Sequence, residues 1–288
     1  MASRRYTINA FTANVIGSPT SSTANQLYTM LELFEQNDVR ATIFVSEEVM
    51  HQGGIGLLRQ MVAAGHEPAV LAPRYSTPLD QLLHLRERAA AAREQLEDAL
   101  GLQVTGYRAT PPITGWRSPA MIETLVQVGF LYSSSTYPRR RPAPLLTSST
   151  IRAHRLATPS GDLWELPLTA WRPLGLGLPS IPVAGGERWE HLPAWIIERA
   201  VDGMNRHGEP ALLYVDIGEN ESGRPLLLPS ILERIRRVFR TYRFGHLREA
   251  FASRLTRDAH TGTLISYRTS IVRGDAEEEQ NVDRSVGQ

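Results

Sequence analysis

Two carboxylates, Asp216 and Glu219, stand just beyond the apolar run Ala211-Leu-Leu-Tyr-Val215. That spacing suits a pair sharing acid and base work on a bound substrate. Upstream, Arg108 sits inside Gly106-Tyr-Arg-Ala109, a short apolar run that reads as a buried strand. The eight histidines include no pair at i,i+2, i,i+3 or i,i+4, which leaves no local zinc motif. All 31 basic residues are arginine and there is no cysteine. Lysine Schiff bases, thiolate nucleophiles, disulfides and Fe–S clusters are therefore excluded, and any transition metal would have to sit on histidines and carboxylates. No Gly-x-Ser-x-Gly elbow, Walker loop or dinucleotide fingerprint occurs. Gly175-Leu-Gly177 and Gly185-Gly186 lack a strand-then-helix context and read as tight turns.

The elements that must position these groups alternate strand and helix, the pattern of an α/β fold with a largely parallel sheet or barrel. Strands are expected at 6–11, 40–45, 67–71, 104–108, 130–134 and 211–215. Helices are expected at 23–37, 55–64, 77–100, 118–128, 192–206 and 228–242. The helix from 77 has the best start signal: Thr77 caps, Pro78 suits the first turn and Asp80 answers the cap. Residues 138–186, rich in Pro and Gly, read as an irregular insertion with one or two short strands. Helix 228–242 carries Ile231, Ile235, Val238 and Tyr242 on one face, with Arg234, Arg236, Arg237, Arg240 and Arg243 interleaved. Its solvated face is the simple reading, and an anionic or membrane-surface partner, shared with the Arg139-Arg-Arg141 loop, is the alternative.

With 288 residues, 42% of them hydrophobic, the chain can build one large domain or two small ones. Thirty-one basic against 30 acidic residues, with 7% aromatics, give no overall case for nucleic acid. The opening Met1-Ala-Ser-Arg-Arg runs into Tyr6-Thr-Ile without a signal-peptide core, and no apolar run approaches the roughly 18 residues of a membrane span, so a cytoplasmic location is expected.

Six phrases, spanning about residues 6 to 250, carry a resemblance: Asn37-Asp-Val-Arg-Ala-Thr-Ile-Phe-Val45, Met61-Val-Ala-Ala-Gly-His-Glu67, Gly106-Tyr-Arg-Ala109, Gly129-Phe-Leu-Tyr-Ser-Ser134, Pro182-Val-Ala-Gly-Gly186 and Arg243-Phe-Gly-His-Leu247. In order and content they resemble the polysaccharide deacetylases of carbohydrate esterase family 4, the NodB-homology family. The subgroup found at exopolysaccharide and exosortase (PEP-CTERM) loci, with its C-terminal segment of unknown function, is the nearest in look. The resemblance implies a distorted (β/α)7 TIM-like barrel with its site at the C-terminal ends of the strands, followed by a C-terminal helical extension. It also implies a division into a barrel over 1–222, an extension over 223–256 packed on the barrel, and a polar tail over 257–288, unstructured after about 273.

Members of that family remove N-acetyl groups from sugars with a divalent metal held by one Asp and two His. A second Asp serves as base and a further His as acid. Carried over by motif, the base position falls on Asn9 and a ligand position on Thr12; neither is an ionisable carboxylate. A shifted alignment offers Asn14 instead, and that shift restores no carboxylate. The two ligand histidines fall on Leu71 and Tyr75, and His66 reads as a packing residue. Arg108 matches the arginine that orients the catalytic Asp, Ser133 takes the position of an Asp that supports the acidic His, and Asp216 stands where that His belongs. The expectation is a pseudoenzyme with no cofactor or metal. A retained groove lined by Trp116, Trp164, Trp171 or Trp189 could hold a glycan by stacking, or an exopolysaccharide-synthesis protein could dock there. The alternatives are a metal-independent hydrolase using Asp216 and Glu219, and the Arg-rich surface module. Asp216 has a second reading, as the group that neutralises an Arg108 that has lost its catalytic Asp, since a buried cation without a partner costs several kcal/mol; on that reading Arg108 and Asp216 are expected to face each other across the barrel mouth.

Overall fold

A computed structural model describes residues 7–17, 20–51, 54–72, 78–110, 113, 118–137, 152–171 and 180–255. The expectations placed on Tyr75, the Thr77 cap, Trp116, Arg139–Arg141, Gly175–Gly177 and the tail from 257 lie outside these residues.

Strand and helix alternate through β1 (Ile8–Val15), α1 (Ser21–Gln36), β2 (Thr42–Val45), α2 (Glu47–His51), α3 (Ile55–Ala63), β3 (Glu67–Leu71), α4 (Pro78–Leu100), β4 (Gly106–Arg108), α5 (Pro119–Val128) and β5 (Tyr132–Ser133). A hairpin of β6 (His154–Thr158) and β7 (Gly161–Glu165) follows, then the small pair β8 (Ala170–Trp171) and β9 (Ile181–Pro182). The chain continues through α6 (Arg188–His191), α7 (Ala194–Arg206), β10 (Leu212–Ile217), α8 (Pro229–Thr241), β11 (Arg243–Gly245), α9 (Leu247–Ala250) and α10 (Ala252–Leu255).

The sheet runs β10-β1-β2-β3-β4-β5-β7 with every one of these neighbours parallel; β6 is antiparallel on the edge and β11 adds to β1. The sheet curls into a (β/α) barrel. Between β7 and β10 the gap is bridged by irregular chain: Leu166 and Leu168 N–H donate to Ser133 and Thr136 carbonyls, and Thr169 N–H donates to Leu212 O. The expectation of one or two short strands in 138–186 was low, because four lie there and β7 is a full member of the barrel wall.

Strand periodicity divides the barrel into two cores. On β1, Phe11, Ala13 and Val15 face the helices, while Ala10 faces the interior with Phe44, Ala69, Leu71, Tyr132 and Tyr214. The outer core centres on Phe11, whose ring meets those of Phe239, Phe244 and Phe34 edge-on at 4.8, 5.7 and 5.8 Å. Helix α8 and strand β11 thus supply part of the main core. His66 packs there as well: its ring tilts against Phe34 at 5.1 Å and its Nδ1 accepts from Ala41 N–H. Among the described residues no helix is long and apolar enough to cross a membrane.

Candidate functional site

Strand β4 ends on Arg108, only 1% exposed, and the barrel places its guanidinium in the interior at the C-terminal ends of the strands. Parallel register explains its company. Asn14 lies opposite Asp216 on β10 and Phe44 on β2, and Thr12 lies opposite Tyr214, so these side chains share one face. Nη1 of Arg108 donates to Thr12 Oγ1 at 2.7 Å and Asn14 Oδ1 at 2.9 Å. Nε donates to Ser134 O at 2.8 Å and Nη2 to Ser134 Oγ at 2.9 Å. The guanidinium lies 4.0 Å from the centre of the Phe44 ring and 5.6 Å from that of Tyr214. Burial lowers its pKa to about 10, and it remains a cation at neutral pH.

The Asn14 amide bridges two charges: its oxygen accepts from Arg108, and its nitrogen donates to Asp216 Oδ1 at 2.8 Å. Arg108 and Asp216 are therefore linked through a neutral side chain. Nearby, Tyr137 donates to the Tyr214 hydroxyl at 3.3 Å, and burial raises both phenols, Tyr137 to about 12. A cleft of about 620 Å³ lined by Tyr214, Asp216, Glu219, Gly185, Gly186 and Arg188 shares Tyr214 and Asp216 with this cluster. Gly185 and Gly186 have φ of 158° and 70°. A Cβ on Gly185 would run into the Tyr214 carbonyl, and one on Gly186 would lie 2.8 Å from the Tyr214 hydroxyl and 3.2 Å from Asp216 Oδ2. This turn is one where the backbone must come close to the cleft wall.

The structure redistributes the expected site residues. Asn9 does not reach Arg108; its side chain accepts from Ala211 N–H at 2.9 Å and donates to Arg243 O at 3.3 Å, tying β1 to the starts of its neighbours. The residues on β1 that meet the arginine are Thr12 and Asn14, because the strand runs on to Val15 and sites of this fold form at strand C-termini. Thr12 is part of the cluster and also donates to Leu213 O. Ser133 faces away from Arg108, its hydroxyl on Ser135 Oγ at 2.7 Å; alternation puts Ser134 on the guanidinium instead. Leu71 ends β3 on the inner face. Asp216 and Glu219 line the same cleft, and Thr20 donates to Glu219 Oε2 at 3.5 Å. None of the expected tryptophans lines it among the described residues. Trp189 is core, donating to Val183 O, Trp164 is half-buried beside the inner core, and Trp171 meets the ring of Trp195.

Sequence reasoning missed Glu165, fully buried at the end of β7. Its Oε1 accepts from the Ser135 and Thr136 amides and the Thr136 hydroxyl at 2.9–3.0 Å, fixing the turn that carries Ser134. The signal was a lone carboxylate within Leu163-Trp-Glu-Leu166.

The donor set does not fit the divalent metal implied by the resemblance. Among the described residues no three His, Asp or Glu side chains are grouped so as to hold one. The stretches after β1, β3, β4, β5 and β7, residues 16–20, 72–77, 109–117, 134–153 and 166–180, contain no His, Asp or Glu at all.

Comparison with solved structures places the fold. A protein named as a polysaccharide deacetylase from Pseudomonas aeruginosa PAO1 superposes with a TM-score of 0.57 at 16% identity, over 88% of this chain and 92% of that one. Another so named, from Mycobacterium smegmatis, gives 0.55 at 18%, over 90% and 95%. An allantoinase gives 0.52 at 18%, over 88% and 91%. The chain has the curled parallel barrel of these proteins. A family model described as a domain of unknown function (DUF3473) matches residues 134–261. No curated protein matches the sequence.

Proposed function

We propose that this chain is a polysaccharide-deacetylase-like protein that keeps the barrel without the metal and the acid and base groups, and that holds or scaffolds a glycan in exopolysaccharide metabolism. The observation that carries this reading is the environment of Arg108. By resemblance this arginine orients a catalytic carboxylate, and here it meets the neutral amide of Asn14. An amide cannot take a proton from water near neutral pH. The stretches after β1, β3, β4, β5 and β7 support the same reading, since they carry no His, Asp or Glu; in the barrel wall β10-β1-β2-β3-β4-β5-β7 carboxylates follow only β2 and β10. The test is acetate release from an acetylated chito-oligosaccharide with zinc supplied. The expected rate is that of buffer alone, and zinc-dependent release well above buffer would refute the reading.

A second reading rests on Asp216 and Glu219 sharing one cleft. They could serve a metal-independent hydrolysis as paired carboxylates. On that reading, glycan cleavage by the native chain disappears in the double variant Asp216→Asn, Glu219→Gln. Activity that survives the double change removes it.

A further inference from the structure

We infer that Trp195 and Trp171 form a stacking subsite for the pyranose rings of a polysaccharide, an inference that rests on the glycan-binding reading above. Helix α7 buries Ile197, Ala200, Val201 and Met204 against the core. Trp195 is not part of that face: it is 52% exposed in the first turn of the helix. The half-exposed indole leaves aromatic surface open to a ligand. The ring of Trp171 stands edge-on to it, with centroids 5.9 Å apart and planes at 83°. The two form a corner with one open indole face and one wall.

The surroundings favour a sugar over a protein partner. Among the described residues the exposed large apolar side chains are Tyr28, Leu83, Leu131 and Trp195, and each lies on a different segment. Among the described residues Trp195 thus adjoins no other exposed large apolar side chain, whereas a stable protein interface needs about 800 Å² per partner around a buried apolar centre. A pyranose ring presents one small apolar C–H face rimmed by hydroxyls, which matches an isolated indole flanked by hydrogen-bonding groups. Such groups are present. Glu198 and Arg199 lie three and four residues on from Trp195, on the same side of the helix. Glu198 is held by Arg237, with Nε to Oε1 at 2.5 Å and Nη2 to Oε2 at 3.1 Å, and Arg199 is exposed. The corner also adjoins the cleft along the chain. From Gly186 and Arg188 on the cleft wall, the four-residue helix α6 and Leu192-Pro193 lead directly into α7.

The experiment titrates the full chain with an acetylated chito-oligosaccharide, its de-N-acetylated counterpart and a cellodextrin, reading affinity by calorimetry. The native chain is expected to bind at least one probe. Trp195→Ala should weaken that binding roughly tenfold or more, a change of about 1.4 kcal/mol. Trp195→Tyr, which keeps an aromatic face, should stay within about threefold of native. Circular dichroism of each variant should be native-like, because the side chain is half exposed. Unchanged affinity in Trp195→Ala overturns the subsite. If affinity is instead lost only in Asp216→Asn, the glycan lies in the cleft alone, and the non-catalytic reading survives while the subsite does not. Failure of the native chain to bind any probe overturns both the subsite and the glycan reading. Acetate release by the native chain overturns the non-catalytic reading without touching the Trp195 result.

Discussion

Arg108 gives the interior of the barrel its order. Four hydrogen bonds join it to Thr12, Asn14 and Ser134, and Asn14 passes the contact on to Asp216. Removing the cation leaves buried acceptors unpaired and breaks the chain of contacts that reaches Asp216 through Asn14. Arg108→Met should therefore cost about 2–4 kcal/mol in urea unfolding. Arg108→Lys should recover less than half of that, since an ammonium cannot fork to three residues. A cost under about 0.5 kcal/mol for the methionine variant would mean the cluster does not hold the fold. His66 makes the second residue-level prediction. Burial, with the nearby His246, lowers its pKa from 6.5 to about 4. The fold therefore favours the neutral ring; its contribution is complete above about pH 6.5 and is lost as pH falls toward 4. Thermal stability should fall over that window. His66→Asn, whose amide oxygen can still accept from Ala41, should flatten the fall, and equal slopes in the two proteins would contradict the assignment. Arg108 and Asp216 were legible through the motif resemblance and the cost of a buried cation that has lost its partner. Asn14 entered only as a shifted alignment and Ser134 not as a site residue, because strand register decides which side chain faces inward, and that register is set by neighbours distant in sequence.

Elements with a strong local code were readable to within a few residues. Thr20 caps α1, its Oγ1 accepting from Thr23 N–H at 3.1 Å, and Gly129 closes α5 at a φ of 100°. Strand β4 is shorter than its apolar flanks suggest, and β1 is longer. Apolarity marks burial, whereas a strand ends where its partners end. The β6–β7 hairpin was hidden in the Pro- and Gly-rich stretch, because its edge strand alternates polar and apolar residues and its pairing with β5 is remote in sequence. Gln26 shows how such remote pairing fixes the cleft. From α1 its side chain donates to Gly218 O and accepts from the Gly218 and Leu227 amides, pinning the loop that carries Glu219. Gln26→Ala should destabilise by about 1–3 kcal/mol. It should also speed hydrogen exchange at Gly218 and Leu227 ahead of the barrel strands. Uniform exchange changes across the sheet would show that the pin is not local.

At the scale of the molecule the chain beyond 222 cannot be separated from the barrel. Ile231, Ile235, Val238 and Phe239 of α8 and Phe244 of β11 share one core with Phe11 and Phe34, and β11 pairs with β1. Farther on, Arg254 pairs with Glu209 and donates to Ala153 O at 2.8 Å. A chain ended after Ser222 should accordingly lose its cooperative unfolding transition, and a sharp, native-like transition would show that the barrel closes without α8. The alternation of elements predicted this architecture well, because barrel topology follows from right-handed strand–helix–strand connections. What the cleft does depends on a few side chains, and there the central claim is that the site does not bind a divalent metal. Its most direct test is elemental analysis of the full chain after incubation with zinc and exhaustive desalting. The account predicts zinc far below one equivalent per chain. Stoichiometric zinc that survives desalting, and that is lost when Asp216 is replaced by Ala, would contradict it.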